Sequence, residues 1–195
     1  MIRLATVGTG WIVGEFLKGV REAGGICYMA CYSRSQQTGE AFAQQWGAQK
    51  VYTDLAQMAA DEEIDAVYIA SPNRLHYEQS KLFLQHGKHV ICEKPITVEP
   101  EELQELQELA QQKNLIYIEA LIGVYLPQMK VLQGAVERLG PVHLARFDFS
   151  QYSSKYPAYL RGELPNIFNP QMATGGWMDL GIYCLYPAIM LFGVP

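Results

Sequence analysis

The 195-residue sequence is sparing in charge: Asp, Glu, Lys and Arg make up 18% of it, and acids outnumber bases 20 to 15 for a formal net charge of -5. A nucleic-acid footprint needs Lys and Arg clustered on one face, so this balance argues against one and points to small-molecule partners. No uninterrupted apolar run reaches the roughly 20 residues of a membrane helix. No signal-peptide layout opens the chain, because MIRLATVGTG enters a strand pattern at once, and the expected location is cytoplasmic. Only four cysteines are present, Cys27, Cys31, Cys92 and Cys184, and none forms a CxxC pair. Three of them lie in or beside strand-like apolar runs, where a reduced thiol packs as a small hydrophobe, so neither a disulfide nor a zinc site is expected. His76, His86, His89 and His143 offer no ligand spacing with paired acids, and no metal site is expected of them either. There is no internal repeat and no low-complexity segment.

What is abundant is hydrophobic residues, 49% of the chain, enough for one sizeable core and a second, smaller or incomplete one. Short apolar runs alternate with longer helical patterns, the signature of βαβ units building an α/β doubly wound parallel sheet. The expected strands are Ile2 to Val7, Ile26 to Cys31, Lys50 to Tyr52, Ala66 to Ala70, His89 to Cys92 and Leu115 to Ile118. The expected helices run from Trp11 to Ala23, Ser35 to Trp46, Leu55 to Ala60, Arg74 to His86 and Pro100 to Lys113. Gly87 stands where a left-handed C-cap is wanted, and Pro100 suits a first helical turn that Glu101 and Glu102 follow at the positive dipole end. The pattern changes after Ile118. A helix from Leu126 to Leu139, a strand from Val142 to Ser150, a loop from Gln151 to Thr174 and a helix from Gly176 to Phe192 suggest a second domain. The division expected is therefore 1–120 and 121–195.

Between the first strand and first helix stand Gly8-Thr9-Gly10-Trp11-Ile12-Val13-Gly14. Glycines there can make a tight turn and let backbone approach a pyrophosphate, with the helix N-terminus as the anion site. An ordinary strand-to-helix turn is the plainer alternative. Val13 occupies the third fingerprint position, with Gly14 one residue later. The second strand ends in Tyr32-Ser33-Arg34-Ser35, about 20 residues beyond the glycines, where an NAD enzyme presents Asp or Glu to the ribose hydroxyls. No carboxylate is there. Arg34 offers a planar donor fork for a 2′-phosphate and Ser33 a hydroxyl, which favours NADP(H) and leaves NAD(H) open; the alternative is a solvated surface arginine. Two further strand ends, Ser71-Pro72-Asn73 with His76, and Glu93-Lys94-Pro95, face the side of the sheet where doubly wound folds bind ligands. Tyr77 and Lys81 have the Tyr-x-x-x-Lys spacing of a short-chain dehydrogenase pair but belong more simply to an amphipathic helix.

The series Gly8-Thr9-Gly10, Ser71-Pro72-Asn73 with His76, Gly87-Lys88-His89-Val90 and Glu93-Lys94-Pro95 resembles the glucose-fructose oxidoreductase and inositol dehydrogenase family, Gfo/Idh/MocA. Glu119-Ala120, and Gly175-Gly176 leading into Asp179-Leu180-Gly181-Ile182-Tyr183, extend the resemblance over nearly the whole chain; the later segment is most similar to dimeric dihydrodiol dehydrogenase-like members. The resemblance implies a Rossmann domain followed by the start of an α+β substrate and oligomerisation domain with a mixed or antiparallel sheet, incomplete here and homo-oligomeric at full length. It implies Lys94 as the catalytic lysine, with Asp179 and Tyr183 at the Asp-x-x-x-His/Tyr element. Four residues apart on a helix, those two share a face. It also implies that Gly8, Thr9, Gly10, Trp11, Ile12, Ser33, Arg34, Ser71, Pro72, Asn73, His76, Glu93 and Lys94 line the cofactor. The plainer readings are a surface lysine, a core tyrosine and a helix N-terminal acid. The expected activity is hydride transfer between the nicotinamide and a hydroxyl-bearing carbon of a sugar, polyol or diol, and the alternative is a cofactor-binding sensor or partner subunit without turnover. Tyr152, Tyr156, Arg161 and Asn166 are candidates for substrate contact.

Overall fold

The computed structural model describes residues 1–194. It divides into two compact units, Met1–Ala120 and Leu121–Pro195. In the first, six strands, β1 (Ile2–Val7), β2 (Ile26–Tyr32), β3 (Lys50–Tyr52), β4 (Ala66–Ile69), β5 (His89–Glu93) and β6 (Tyr117–Ala120), form one sheet in the order β3-β2-β1-β4-β5-β6. Every neighbouring pair is parallel. Five helices link them: α1 (Trp11–Ala23), α2 (Gln36–Trp46), α3 (Leu55–Ala60), α4 (His76–Gln85) and α5 (Pro100–Gln112). The chain reverses its direction of growth between β1 and β4, and at such a switch point the strand ends leave a crevice open to a ligand.

The period-2 alternation of the central strands sorts the core into two layers. Ala5 and Val7 of β1, with Val67 and Ile69 of β4, pack against Phe83 and Leu84 of α4 and Leu106 and Ala110 of α5. Leu4, Ala66 and Tyr68 point to the other face, against Val13, Leu17 and Val20 of α1 and Phe42 and Ala43 of α2. Gly14 serves this second layer, since a Cβ there would stand 2.7 Å from the Trp46 ring. Helix α1 and the end of α2 therefore pack together over a glycine, and Val13 is fully buried. The pair Tyr77 and Lys81 packs outward, the Tyr77 hydroxyl donating to Glu105 of α5 at 2.6 Å and Lys81 Nζ to the same hydroxyl at 3.0 Å.

The boundaries expected from sequence hold with local differences. Helix α4 begins at His76 because Asn73–Leu75 forms a separate 3-10 turn, and Ser35 lies outside α2 as its N-cap, its side chain accepting the Thr38 N–H. Strand β6 lies two residues later than expected: Leu115 donates its N–H to Ala110 at the end of α5, after Asn114 turns at φ 54°. Glu119 thereby falls inside the strand.

The second unit contains α6 (Ile122–Tyr125), α7 (Pro127–Leu139), α8 (Tyr156–Leu160) and α9 (Ile182–Phe192). The strand expected at Val142 to Ser150 is not formed: no ladder pairs with that segment among the described residues, and alternating side chains alone do not satisfy a strand's backbone groups. The expected long loop holds α8 and two 3-10 turns, Asn166–Phe168 and Pro170–Met172. Among the described residues no helix is long and apolar enough to cross a membrane.

Candidate functional site

The carboxyl ends of β1, β2, β4 and β5 bring the glycine turn and the Arg34, Ser71 and Lys94 segments to one edge of the sheet. Gly8 N–H donates to Tyr32 O at 3.2 Å, so the glycine turn adjoins the end of β2. Gly8 has φ 109°, and a Cβ there would lie 2.9 Å from the Ala70 carbonyl; both facts require glycine where the turn passes the end of β4. At Gly10 an added Cβ would meet nothing within 4 Å. Gly10 caps α1 without a side-chain bond, and no acid occupies the first turn. An uncapped, positively polarised helix end beside open space fits a pyrophosphate. Thr9 and Ile12 are half-buried in this turn, and Trp11 is exposed.

Arg34 is exposed just past β2, and no carboxylate pairs with it among the described residues. Its fork is therefore available to a phosphate. Ser33 is buried, its Oγ accepting the Ser35 N–H at 3.3 Å, so it shapes the turn more than it offers a surface donor.

The Lys94 turn is held from three sides. Glu93 accepts a 2.5 Å bond from the Tyr68 hydroxyl on β4, and the Tyr68 ring stacks on Phe16 of α1 at 3.8 Å. Burial raises the Glu93 pKa, and the Tyr68 and Lys94 N–H bonds oppose that rise. From β6, Glu119 Oε1 accepts the Ile96 N–H at 2.9 Å. From the β4 side, His76 places Nδ1 2.8 Å from Pro95 O and Nε2 2.8 Å from Ser71 O. Ser71 in turn donates its hydroxyl to Gln79 of α4 at 2.7 Å. Pro72 and Asn73 are half-buried beside it.

His76 is set apart from the other expected site residues by its complete burial. Its side chain is fully buried and both ring nitrogens face carbonyls of this chain, which leaves no polar atom for cofactor or substrate. His76, Gln79, Ser80 and Phe83 recur at helical spacing and are all buried, a stripe that marks His76 as an inward residue of α4. Glu119 and Tyr68 were not among the expected site residues, because their roles depend on partners 23 and 25 positions away.

In the second unit, Asp179 lies in a π-helical turn, Trp177–Gly181, that precedes α9 and donates its N–H to Gly175 O at 2.9 Å. The expected single helix is thus a π turn, Trp177–Gly181, followed by α9. Tyr183 lies in α9, stacks on Phe149 at 4.9 Å, and with Val124, Met129, Tyr186 and Met190 lines an apolar hollow. Of the candidate substrate residues, Tyr152 and Tyr156 pack edge to face at 5.6 Å.

Residues 2–121 match the model of the Gfo/Idh/MocA oxidoreductase family, NAD-binding Rossmann fold. The chain belongs to this family. This Gfo/Idh/MocA member is 42% identical over its whole length to scyllo-inositol 2-dehydrogenase (NADP(+)) IolU of Bacillus subtilis, of which it covers 60%. It is 29% identical over 167 residues to trans-1,2-dihydrobenzene-1,2-diol dehydrogenase of Mus musculus, covering 85% of this chain and 48% of that one. The chain thus spans about half to three-fifths of the length of these relatives. The solved structure of KijD10, a 3-ketoreductase from Actinomadura kijaniata, shares the fold with a TM-score of 0.82 at 23% identity, over 98% of this chain and 57% of that one.

Proposed function

We propose that this chain acts in an NADP(H)-dependent oxidoreductase that transfers a hydride between the nicotinamide and a hydroxyl-bearing carbon of a sugar, polyol or diol. The observation that carries the reading is the placement of the glycine turn and the Lys94 turn at the carboxyl ends of β1 and β5. Two strand spacings, about 10 Å, separate them across the crevice. The names of the Bacillus subtilis and mouse relatives, an NADP(+)-dependent inositol dehydrogenase and a diol dehydrogenase, support the same chemistry.

When bound, the nicotinamide supplies the site that accepts or gives the hydride. The backbone from Gly8 to Ile12 and the start of α1 hold the pyrophosphate, and Arg34 pairs with the 2′-phosphate, which sets the preference for NADP(H). The Ser71-Pro72-Asn73 and Glu93-Lys94 segments wall the nicotinamide end. Lys94 polarises the reacting oxygen with its positive charge, Tyr183 exchanges the hydroxyl proton, and Asp179 orients the proton carrier. Homo-oligomeric assembly and a cytoplasmic location complete the proposal.

The test is a turnover screen with NADP and NAD against inositols, aldoses and vicinal diols, read as nicotinamide absorbance, with cofactor fluorescence in parallel. NADP-linked oxidation of one of these classes is the expected outcome. Cofactor binding without turnover on any of them would favour a sensor or partner subunit.

A further inference from the structure

His76 is the one histidine of the first unit whose ring is fully sequestered, and its two nitrogens face two carbonyls that belong to different strand ends. Ser71 follows β4, and Pro95 follows Lys94 directly. A carbonyl only accepts, whereas a neutral imidazole carries a single N–H. The neutral ring therefore donates to one carbonyl and sets a lone pair against the other, and only the imidazolium serves both. Burial opposes the second proton and so does the charge of Lys94, while the two carbonyls and the Glu119 carboxylate favour it. These are the charged groups that act on the ring: Glu119 from β6, and Lys94 from the turn after β5.

We propose that His76 is a positioning residue for Lys94, a strap between the Ser71 and Pro95 carbonyls that fixes the turn on which Lys94 stands. The inference rests on the proposed role of Lys94 at the reacting oxygen. His76 acts through the backbone and touches neither substrate nor cofactor. The net direction for the ring is a pKa below its ordinary 6.5, so the strap is singly bonded at neutral pH and doubly bonded only in acid. Because the charges of His76 and Lys94 oppose each other, removing one makes the other easier to hold.

The test has two arms on the intact chain. In the first, ring nitrogen NMR follows His76 through a pH titration in the wild type, Lys94→Met and Glu119→Gln. The expected midpoint lies below 6.5 in the wild type. It should rise in Lys94→Met and fall in Glu119→Gln. In the second arm, His76→Phe keeps an aromatic ring of similar size and removes both ring nitrogens, and with them the single N–H donated at neutral pH, and His76→Gln restores a donor. Turnover should fall at least about tenfold in His76→Phe while NADPH affinity stays within about threefold, with partial recovery in His76→Gln. A midpoint unmoved by both charge changes, or a fully active His76→Phe, would overturn the proposal. Wild-type protein that neither binds NADPH nor turns over would instead overturn the functional reading, and the titration would still decide whether His76 and Lys94 are coupled.

Discussion

Glu119 Oε1 accepts the backbone N–H of Ile96 at 2.9 Å, so the last strand of the first unit holds the turn that carries Lys94. A carboxylate on an N–H is a charge-assisted bond, among the stronger ties a turn can have. Lys94 itself is half-buried in that turn. Lys94→Met should reduce turnover at least about 100-fold, the scale of a lost polarising group, with NADPH affinity nearly unchanged. Steady-state kinetics beside calorimetry separates the two. Near-normal turnover in Lys94→Met would remove Lys94 from the chemistry.

Lys88 belongs to the Gly87-Lys88-His89-Val90 segment, yet its side chain points away from the strand ends that carry the site. Buried, it donates from Nζ to Asp61 O at 2.7 Å and Ile64 O at 2.8 Å, fastening the connection from α3 to β4. Lys88→Met keeps the aliphatic stem and takes the Nζ donor from both carbonyls, leaving Asp61 O the Ile64 N–H at 3.2 Å, and should cost about 1–3 kcal/mol of stability by urea unfolding with cofactor affinity unchanged. Equal midpoints for the two proteins would show that the bonds contribute nothing net.

Asp65 receives Arg3 through its backbone N–H at 2.8 Å and its guanidinium at 2.5 and 3.0 Å. The Arg3 side-chain bond leads in holding its pKa down at about 2 from an ordinary 3.8. A depressed carboxylate contributes stability that is present above its unfolded pKa and lost as pH falls through the folded one. Asp65→Asn should therefore be less stable than wild type at neutral pH, and the gap should narrow as pH drops from about 4 towards 2. Both side chains are partly exposed, so added salt should shrink the gap at neutral pH. A gap independent of pH would contradict the assignment.

Most of the first unit can be read from the chain because its signals are local. The fully buried β4 run Ala66–Ile69, the left-handed Gly87 at φ 75° and Pro100 at the head of α5 each act within a few residues. The failures share a different cause. Val142 to Ser150 alternates like a strand, but a strand exists only with a partner, and none pairs with it among the described residues. The π turn at Trp177–Gly181 accompanies a Trp177 ring lying over Gly181, where a Cβ would come within 2.7 Å, and no periodicity announces such packing. The sequence places His76 just after Ser-Pro-Asn and says nothing of what its ring meets. Its partner in the Lys94 turn, Pro95 O, is 19 positions away and visible only once the sheet is assembled.

The claim that the crevice is built for NADP(H) rests on the Gly8–Ile12 turn and on Arg34, exposed past β2 with no carboxylate pairing with it among the described residues. Titration calorimetry of wild type and Arg34→Ala with NADPH and NADH tests it most directly. The account predicts tighter NADPH than NADH binding in the wild type. It also predicts a loss of about 10- to 100-fold for NADPH in Arg34→Ala with NADH little changed, the scale of charge-assisted bonds to a phosphate. Tighter NADH binding by the wild type, or equal losses for both cofactors in Arg34→Ala, would contradict it.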